Sequence, residues 1–202
     1  AGAGGAEVDG GGGAGHTTHL TTADSRGNVV ALTQSLGPSM GSRVAAPGLG
    51  FLYAATLGGY LGDMRPGERA SSHISPLLVL SDGEPYLALG AAGGGRIPPA
   101  IVAVVSRIID HRMSLEDALA APRVYPQRRG FEAEIGTGLG FMPEDIEAMR
   151  ALDFDVEVID REGAFGRVHA VLRDAASGTW IAVADPDWEG AAAGVGMAAG
   201  GG

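Results

Sequence analysis

Cysteine is absent from this chain of 202 residues. Its absence excludes disulfide frameworks, thiolate metal sites and a cysteine nucleophile, and it is compatible with either an oxidising or a reducing compartment. The histidines show no HExxH or comparable ligand spacing, so the sequence predicts no metal site and no bound cofactor. The five histidines are His16, His19, His73, His111 and His169.

Positive charge and long apolar runs are also scarce. The chain has 14 Lys and Arg against 24 Asp and Glu, a formal net charge of −10, which argues against nucleic acid as a partner. No apolar run approaches the roughly 18 residues that a membrane span needs, and the N-terminus lacks the charged and apolar regions of a signal peptide. We therefore expect neither nucleic-acid binding nor a membrane span.

Glycine, by contrast, is abundant, and it dominates the two ends, which read AGAGGAEVDGGGGAG and GAAAGVGMAAGGG. Such stretches bury almost nothing and lose much entropy on ordering, so they favour flexible tails at residues 1–16 and 191–202. The residues between them, 17–190, contain enough apolar side chains for a core. They predict one domain of ordinary size or one subunit of a larger protein.

The pattern of β-branched residues, turns and helical spacing predicts an α+β fold with an antiparallel sheet. A hairpin is predicted to begin at Thr17, with strands at 17–23 and 29–36 around the turn sequence DSRGN. Further strands are predicted at 76–81, 86–89, 154–159, 168–173 and 179–183, and helices at 100–111, 114–121 and 143–152. The acidic residues within 153–160 largely alternate, as they would on the solvent face of an edge strand.

Thr17 stands at the start of the first predicted strand, directly after a glycine-rich stretch. A threonine hydroxyl is a poor nucleophile at neutral pH unless a base takes its proton. If the peptide bond before Thr17 is cut, its free α-amine, with a pKa of about 8, provides that base. Taken alone, however, these residues fit an ordinary β-branched strand start better.

A second glycine-rich stretch, Gly90 to Gly95, lies between a predicted strand and a predicted helix. Consecutive glycines let backbone N–H groups turn toward a developing oxyanion, and a helix N-terminus adds positive potential. The same geometry can cradle a phosphate, but the Lys-Ser/Thr of a phosphate loop is absent and so is GxGxxG. The sequence therefore disfavours a nucleotide-binding module, and a plain tight turn remains the alternative.

A cluster of hydroxyls surrounds His73 in the segment Ser71-Ser72-His73-Ile74-Ser75-Pro76. Neighbouring residues of an extended chain point to opposite faces, which disfavours a Ser–His catalytic hydrogen bond between them. Hydroxyls that line a substrate site or cap a loop are the better interpretation.

Taken in order, these features resemble the small subunit of gamma-glutamyltransferases over about residues 16–190. The motifs that carry the resemblance are TTH at 17–19, LTQSL at 32–36, G-FLY at 50–53, SSHISP at 71–76, GAAGGGRI at 90–97, APR at 121–123 and ADPDWEGAA at 184–192. The TTH start and the glycine pair after a strand are specific in combination, although neither is specific alone.

The resemblance implies an N-terminal-nucleophile hydrolase fold, a four-layer αββα sandwich of which this chain supplies part. Members of that family are made as one precursor that cleaves itself before the threonine. Carried over by motif, Thr17 is the nucleophile, Gly93 and Gly94 supply the oxyanion-hole amides, and Ser35 is a hydroxyl residue that bonds the nucleophile. Ser71 and Ser72 fall on the pair of serines that contacts substrate.

Three departures from the family pattern concern the substrate. Gly37 stands where the family typically has Asn, and SSHISP has one residue more before its Ser-Pro than is usual. The segment 54–60 (AATLGGY) contains no acidic or amide side chain where the family has an Asp for the α-ammonium of the donor. The reaction class therefore carries over better than the substrate.

The expected function is a gamma-glutamyltransferase-like amidohydrolase and acyltransferase, a zymogen acting on gamma-glutamyl compounds such as glutathione. Its expected partners are a large subunit of the same precursor and a small-molecule amide. The resemblance implies a periplasmic or secreted location and leaves a cytoplasmic one open. Two alternatives stay open: an acylase or amidase of the same fold with a non-glutamyl substrate, and a catalytically inactive homologue or orphan small-subunit fragment.

Overall fold

A computed structural model describes residues 17–56, 65–69, 72–135, 140–160 and 164–195. Several predicted features therefore lie outside the described residues: the tail at 1–16, positions 57–60, Ser71, and 196–202 of the second tail. The chain divides into two compact units. Thr17 and the described residues within 35–69 belong to the first unit, and residues 18–34 and the described residues from 72 onward belong to the second.

Within the described residues, nine strands and three α-helices follow one another along the chain. The strands are β1 Thr17–Ala23, β2 Val29–Ser35, β3 Leu77–Ser81, β4 Glu84–Ala92, β5 Val124–Pro126, β6 Phe131–Glu134, β7 Val156–Ile159, β8 Arg167–Arg173 and β9 Trp180–Val183. The helices are α1 Ile97–Ile109, α2 Leu115–Ala120 and α3 Pro143–Ala151, and a short 3-10 turn spans Gly94–Arg96. The predicted α+β class is confirmed.

The first hairpin, β1 and β2, forms as predicted. Its turn is closed by the Asp24 carboxylate, which accepts hydrogen bonds from the backbone N–H groups of Arg26 and Asn28 at 2.9 Å. Gly27 adopts φ 86°, a conformation that favours glycine. Along both strands, exposed side chains alternate with half-buried or buried ones, so the hairpin has one inner and one outer face.

The main sheet of the second unit is a four-stranded antiparallel sheet in the order β3-β4-β8-β9. Helix α1 packs its apolar face on this sheet, and the core between them is built from Leu87, Leu89, Ile97, Val104, Leu119 and Val168, all at most 1% exposed. Full burial of such a side chain stabilises the fold by about 1.5–3 kcal/mol. The antiparallel sheet expected from the sequence is therefore present.

Helix α1 begins at Ile97, directly before the Pro98–Pro99 pair. Pro98 and Pro99 occupy its first turn, where backbone N–H groups have no partner within the helix, so proline is tolerated there. Ser114 caps the N-terminus of helix α2, because its hydroxyl accepts a hydrogen bond from the backbone N–H of Asp117 at 3.0 Å.

A second, three-stranded sheet has the order β5-β6-β7, and β6 runs parallel to β7 with α3 between them in sequence. Strands β5 and β6 were not predicted, because they are short and carry Pro126, Glu132 and Glu134, residue types that are rare in strands. The acidic side chains at 153–160 are exposed, as predicted.

Among the described residues, no helix is both long and apolar enough to cross a membrane. Within the same residues, no group of three or more His, Asp and Glu side chains is placed to hold a metal ion.

Candidate active site

In the first unit, Thr17 and Ser35 lie at the two ends of the hairpin that meet. Strand β1 begins at Thr17 and β2 ends at Ser35, so antiparallel pairing brings the two residues side by side. The Thr17 hydroxyl donates a hydrogen bond to Ser35 Oγ at 2.9 Å, and the backbone N–H of Gly37 donates to the same oxygen at 2.9 Å. Both side chains are partly exposed, so the Thr17 hydroxyl is oriented without being enclosed.

The chain after Ser35 doubles back on itself within the first unit. Leu36 accepts a hydrogen bond from the backbone N–H of Ala55 at 2.8 Å, and further backbone bonds link Val44 with Tyr53 and Ala46 with Phe51. Gly37 adopts φ 84°, and a Cβ there would lie 2.9 Å from the Ala55 carbonyl oxygen. Only glycine fits this close return, which gives a physical reason for the departure from Asn at position 37.

The Gly93–Gly94 turn lies in the second unit, between β4 and α1. Gly93 has φ 143° and Gly94 φ 60°, and the turn is closed by a hydrogen bond from the backbone N–H of Arg96 to the Gly93 carbonyl at 3.2 Å. A Cβ on Gly93 would lie 3.0 Å from the Gly166 Cα, so a larger residue does not fit without movement. The turn leads into the N-terminus of α1, whose partial positive charge suits a developing oxyanion.

Two hydroxyls of the second unit, those of Ser72 and Ser75, hydrogen-bond within their own loop. Ser72 Oγ accepts a hydrogen bond from the backbone N–H of Ile74 at 3.1 Å, and Ser75 donates to the His73 carbonyl at 3.0 Å. Both hydroxyls therefore bond to the backbone of their own loop. A side chain on Gly95 would come within 3.9 Å of the His73 ring, so this loop lies beside the glycine turn.

His19 is a buried residue of the second unit that sequence reasoning did not single out. It is 5% exposed, its Nδ1 is hydrogen-bonded to Thr33 Oγ1 at 2.6 Å, and within the described part of the chain its Nε2 has no hydrogen-bond partner. The imidazole occupies the space above Gly90, where a Cβ would lie 2.4 Å from the ring. Burial, helped by the charge of His169, lowers the pKa of His19 to about 4, so its ring is neutral at pH 7.

A buried ion pair joins the APR and ADP motifs of the second unit. Arg123 Nη2 donates to the Asp185 carboxylate at 2.8 Å, and both side chains are at most 2% exposed. The same carboxylate accepts from the backbone N–H of Val168 at 2.7 Å, while Arg123 also donates to the Leu119 carbonyl at 2.5 Å. These two motifs therefore hold elements of the unit together.

Arg96 directly follows the three glycines at 93–95, which together form the glycine turn. Its guanidinium donates to the Ala164 carbonyl and the Glu132 carboxylate. The motif GAAGGGRI contains this arginine, but its partners lie 68 and 36 residues away in sequence, which no local pattern reveals.

A sequence model of gamma-glutamyltranspeptidase matches residues 7–195, nearly the whole chain. The chain belongs to the gamma-glutamyltranspeptidase family. A solved relative in this family is the gamma-glutamyltranspeptidase from Pseudomonas nitroreducens in complex with L-DON, with a TM-score of 0.73 and 26% identity over 89% of this chain and 100% of that one. Membership confirms the resemblance on which the site residues were assigned.

This member of the gamma-glutamyltranspeptidase family is similar to two curated proenzymes, one named an acylase and the other a glutathione hydrolase. The acylase ACY 1 proenzyme of Pseudomonas sp. (strain SE83) is 37% identical over 130 residues, 61% of this chain and 23% of that protein. The glutathione hydrolase proenzyme of Bacillus subtilis (strain 168) is 28% identical over 194 residues, 91% of this chain and 31% of that protein. The chain thus spans less than a third of the length of either relative.

Proposed function

We propose that residues 17–190 form the catalytic small-subunit domain of an amidohydrolase and acyltransferase whose nucleophile is Thr17. The observation that carries the proposal is the Thr17–Ser35 hydrogen bond at the start of β1, because it orients a partly exposed hydroxyl at the position where the family has its nucleophile. The four-layer αββα sandwich is part of the same proposal.

The proposed mechanism begins with cleavage of the peptide bond before Thr17, which releases its α-amine. That amine takes the hydroxyl proton while Thr17 Oγ forms a bond to the amide carbonyl carbon of the substrate. The N–H groups of Gly93 and Gly94 stabilise the oxyanion of the tetrahedral intermediate. The carbon–nitrogen bond then breaks, the leaving amine takes the proton, and water or an acceptor amine releases the acyl group from the Thr17 ester.

Within this mechanism, Ser35 keeps the Thr17 hydroxyl in one rotamer before attack, and its own oxygen is fixed by the Gly37 N–H. Ser71 and Ser72 are proposed to contact the acyl donor. In the described structure Ser72 also caps its loop, so its substitution affects the loop as well as any substrate contact.

The proposed partner is a large subunit cut from the same precursor. Both curated relatives are proenzymes, and this chain covers only part of each. The outer face of the first hairpin supports a partner, because Leu20, Val30 and Leu32 expose 42%, 52% and 45% of their surface there. A two-stranded ribbon with an apolar outer face is stabilised by burial against another element.

The first substrate class to test is gamma-glutamyl compounds such as glutathione, which the name of the Bacillus subtilis relative favours. The second candidate is acylase activity on donors without an α-ammonium. The similarity to the ACY 1 acylase proenzyme favours it, as does the lack of any acidic or amide side chain in segment 54–60. Comparing hydrolysis of gamma-glutamyl-p-nitroanilide and of simple acyl p-nitroanilides separates these two candidates.

The test of the catalytic assignment co-expresses the large subunit and the segment that begins at residue 17 as two separate chains, so that no variant depends on cleavage before residue 17. Thr17→Ala is expected to abolish amide hydrolysis, because no other group replaces the hydroxyl, whereas Thr17→Ser keeps a hydroxyl and is expected to retain part of the activity. Full turnover by Thr17→Ala refutes the assignment. If intact-mass measurement shows no cleavage before Thr17 under any condition, the inactive-homologue alternative is correct.

A further inference from the structure

Arg96 is the first long side chain after the three glycines of the turn, and it is held on several sides. Its Nη1 donates to the Ala164 carbonyl at 2.5 Å, and its Nη2 donates to the Glu132 carboxylate. The guanidinium also lies over the rings of Tyr125 and Phe165, 5.0 and 5.5 Å from their centroids. Planar contacts of this kind suit arginine and are not reproduced by lysine.

The carboxylate that receives Arg96 is itself fixed. Glu132 is 8% exposed, and its second oxygen accepts a hydrogen bond from Gln127 Nε2 at 2.5 Å. Because a buried carboxylate needs its cation, the Arg96 side chain has one strongly preferred position. The guanidinium is therefore a rigid anchor at the C-terminal end of the glycine turn.

The segment of residues 164–166 connects this anchor to the turn itself. Ala164 accepts the hydrogen bond from the Arg96 side chain, and Gly166 packs against the Arg96 main chain, where a Cβ would lie 2.6 Å from the carbonyl oxygen. The same Gly166 touches Gly93, since a Cβ on Gly93 would lie 3.0 Å from its Cα. Both ends of the turn are thus held against one buried segment.

Three consecutive glycines have more backbone freedom than any other sequence of that length. Oxyanion stabilisation, however, requires N–H groups that already point at the position of the developing charge. We propose that Arg96 is a positioning residue that fixes the orientation of the Gly93 and Gly94 amides through Ala164 and Glu132. This inference rests on the proposed function, in which those amides hold the oxyanion.

The test compares Arg96→Lys, Arg96→Met and Glu132→Gln in the processed heterodimer, with the anilide that the wild type hydrolyses fastest as substrate. Activity is normalised to active sites counted from the acyl-enzyme burst. We expect Arg96→Met to lower kcat by about 10- to 100-fold and to leave KM within about twofold of the wild-type value. Loss of one oxyanion donor lowers kcat by about 100- to 1,000-fold, and a misaligned donor lowers it less. The kcat of Arg96→Lys is expected to lie between those of Arg96→Met and the wild type.

The matched control is Arg173→Met, which removes an arginine of the same unit whose ion pair with Glu84 is exposed and 3.7 Å long. Its kcat and KM are expected to equal those of the wild type. A second measurement compares binding of an alkylboronic acid, which forms a tetrahedral adduct with a hydroxyl nucleophile, with binding of the carboxylic acid product. Arg96→Met is expected to weaken binding of the boronic acid by the same factor by which it lowers kcat/KM. Binding of the carboxylic acid product is expected to stay unchanged.

An unchanged kcat per titrated site in Arg96→Met overturns the proposal. Equal weakening of the binding of the boronic acid and of the product overturns it as well. A purely structural role lowers the number of active sites or the thermal midpoint and leaves kcat per site unchanged. The outcome is separable from failure of the proposed function: if Thr17→Ala is inactive and Arg96→Met has wild-type kcat per site, only the role of Arg96 is wrong.

Discussion

His19 lies two residues after Thr17 and on the same face of β1, so its protonation state bears on how the strand that carries the proposed nucleophile is held. The ring packs on Gly90 and bonds Thr33, and burial keeps it neutral. A neutral imidazole in this position supports the hairpin, while a protonated one carries an unpaired charge into a buried site. The pH dependence of stability follows from this difference.

Because the folded pKa of His19, about 4, lies below its ordinary value of 6.5, the unfolded chain binds more protons between these pH values. Stability is therefore complete above pH 6.5 and is expected to fall as the pH drops toward 4, by at most about 1.4 kcal/mol per pH unit for each such group. His169, whose pKa burial also lowers, contributes with the same sign. Urea unfolding of the heterodimer at several pH values measures the slope.

His19→Gln is expected to reduce that slope, because glutamine has no titrating group. Equal slopes in the wild type and His19→Gln contradict the interpretation of His19 as a buried neutral ring.

At the scale of secondary-structure elements, the Arg123–Asp185 pair joins the end of α2 to β8 and to the segment after β9. Arg123→Met leaves the Asp185 carboxylate buried without its cation, and we expect the free energy of unfolding to fall by about 3–5 kcal/mol. Arg173→Met removes only an exposed pair and is expected to cost less than about 1 kcal/mol. Similar losses in the two variants, measured by urea unfolding, would show that Arg123 is not a structural anchor.

The elements that local patterns specify were predicted well. The hairpin from Thr17 follows from β-branched residues around a turn, α1 and α2 follow from apolar residues at helical spacing, and the glycine turn follows from its place between strand and helix. Strand ends agree with the predictions or differ by at most three residues, because tertiary packing decides where pairing stops. The short strands β5 and β6 were missed, since long-range pairing stabilises them against their own composition.

The contacts of the candidate site also include some that local patterns predict and some that they do not. Thr17 and Ser35 meet because a hairpin of this register brings its two ends together, so their hydrogen bond was predictable from the motif and the turn. The anchoring of Arg96, the burial of His19 and the pairing of Arg123 depend on residues distant in sequence. No periodicity or spacing encodes those contacts, and only the fold reveals them.

At the scale of the whole molecule, the chain covers less than a third of either proenzyme relative, and its first hairpin exposes an apolar outer face. If that face packs on a large subunit, Leu32→Glu is expected to reduce recovery of the complex at least several-fold, because it places a charge in an apolar interface. Leu152→Glu, at another exposed leucine, is expected to have no effect. Co-purification of the tagged large subunit measures this, and equal recovery of both variants contradicts it.

In the proposed mechanism, Thr17 acts as an N-terminal nucleophile. Its most direct test is to trap the acyl-enzyme of the processed heterodimer by rapid acid quench and to map the acyl group by peptide mass spectrometry. The acyl ester is expected on the Thr17 hydroxyl, in a peptide whose first residue is Thr17. An acyl group on Ser35, Ser72 or any other residue, or on a Thr17 that is still joined to residue 16, would contradict it.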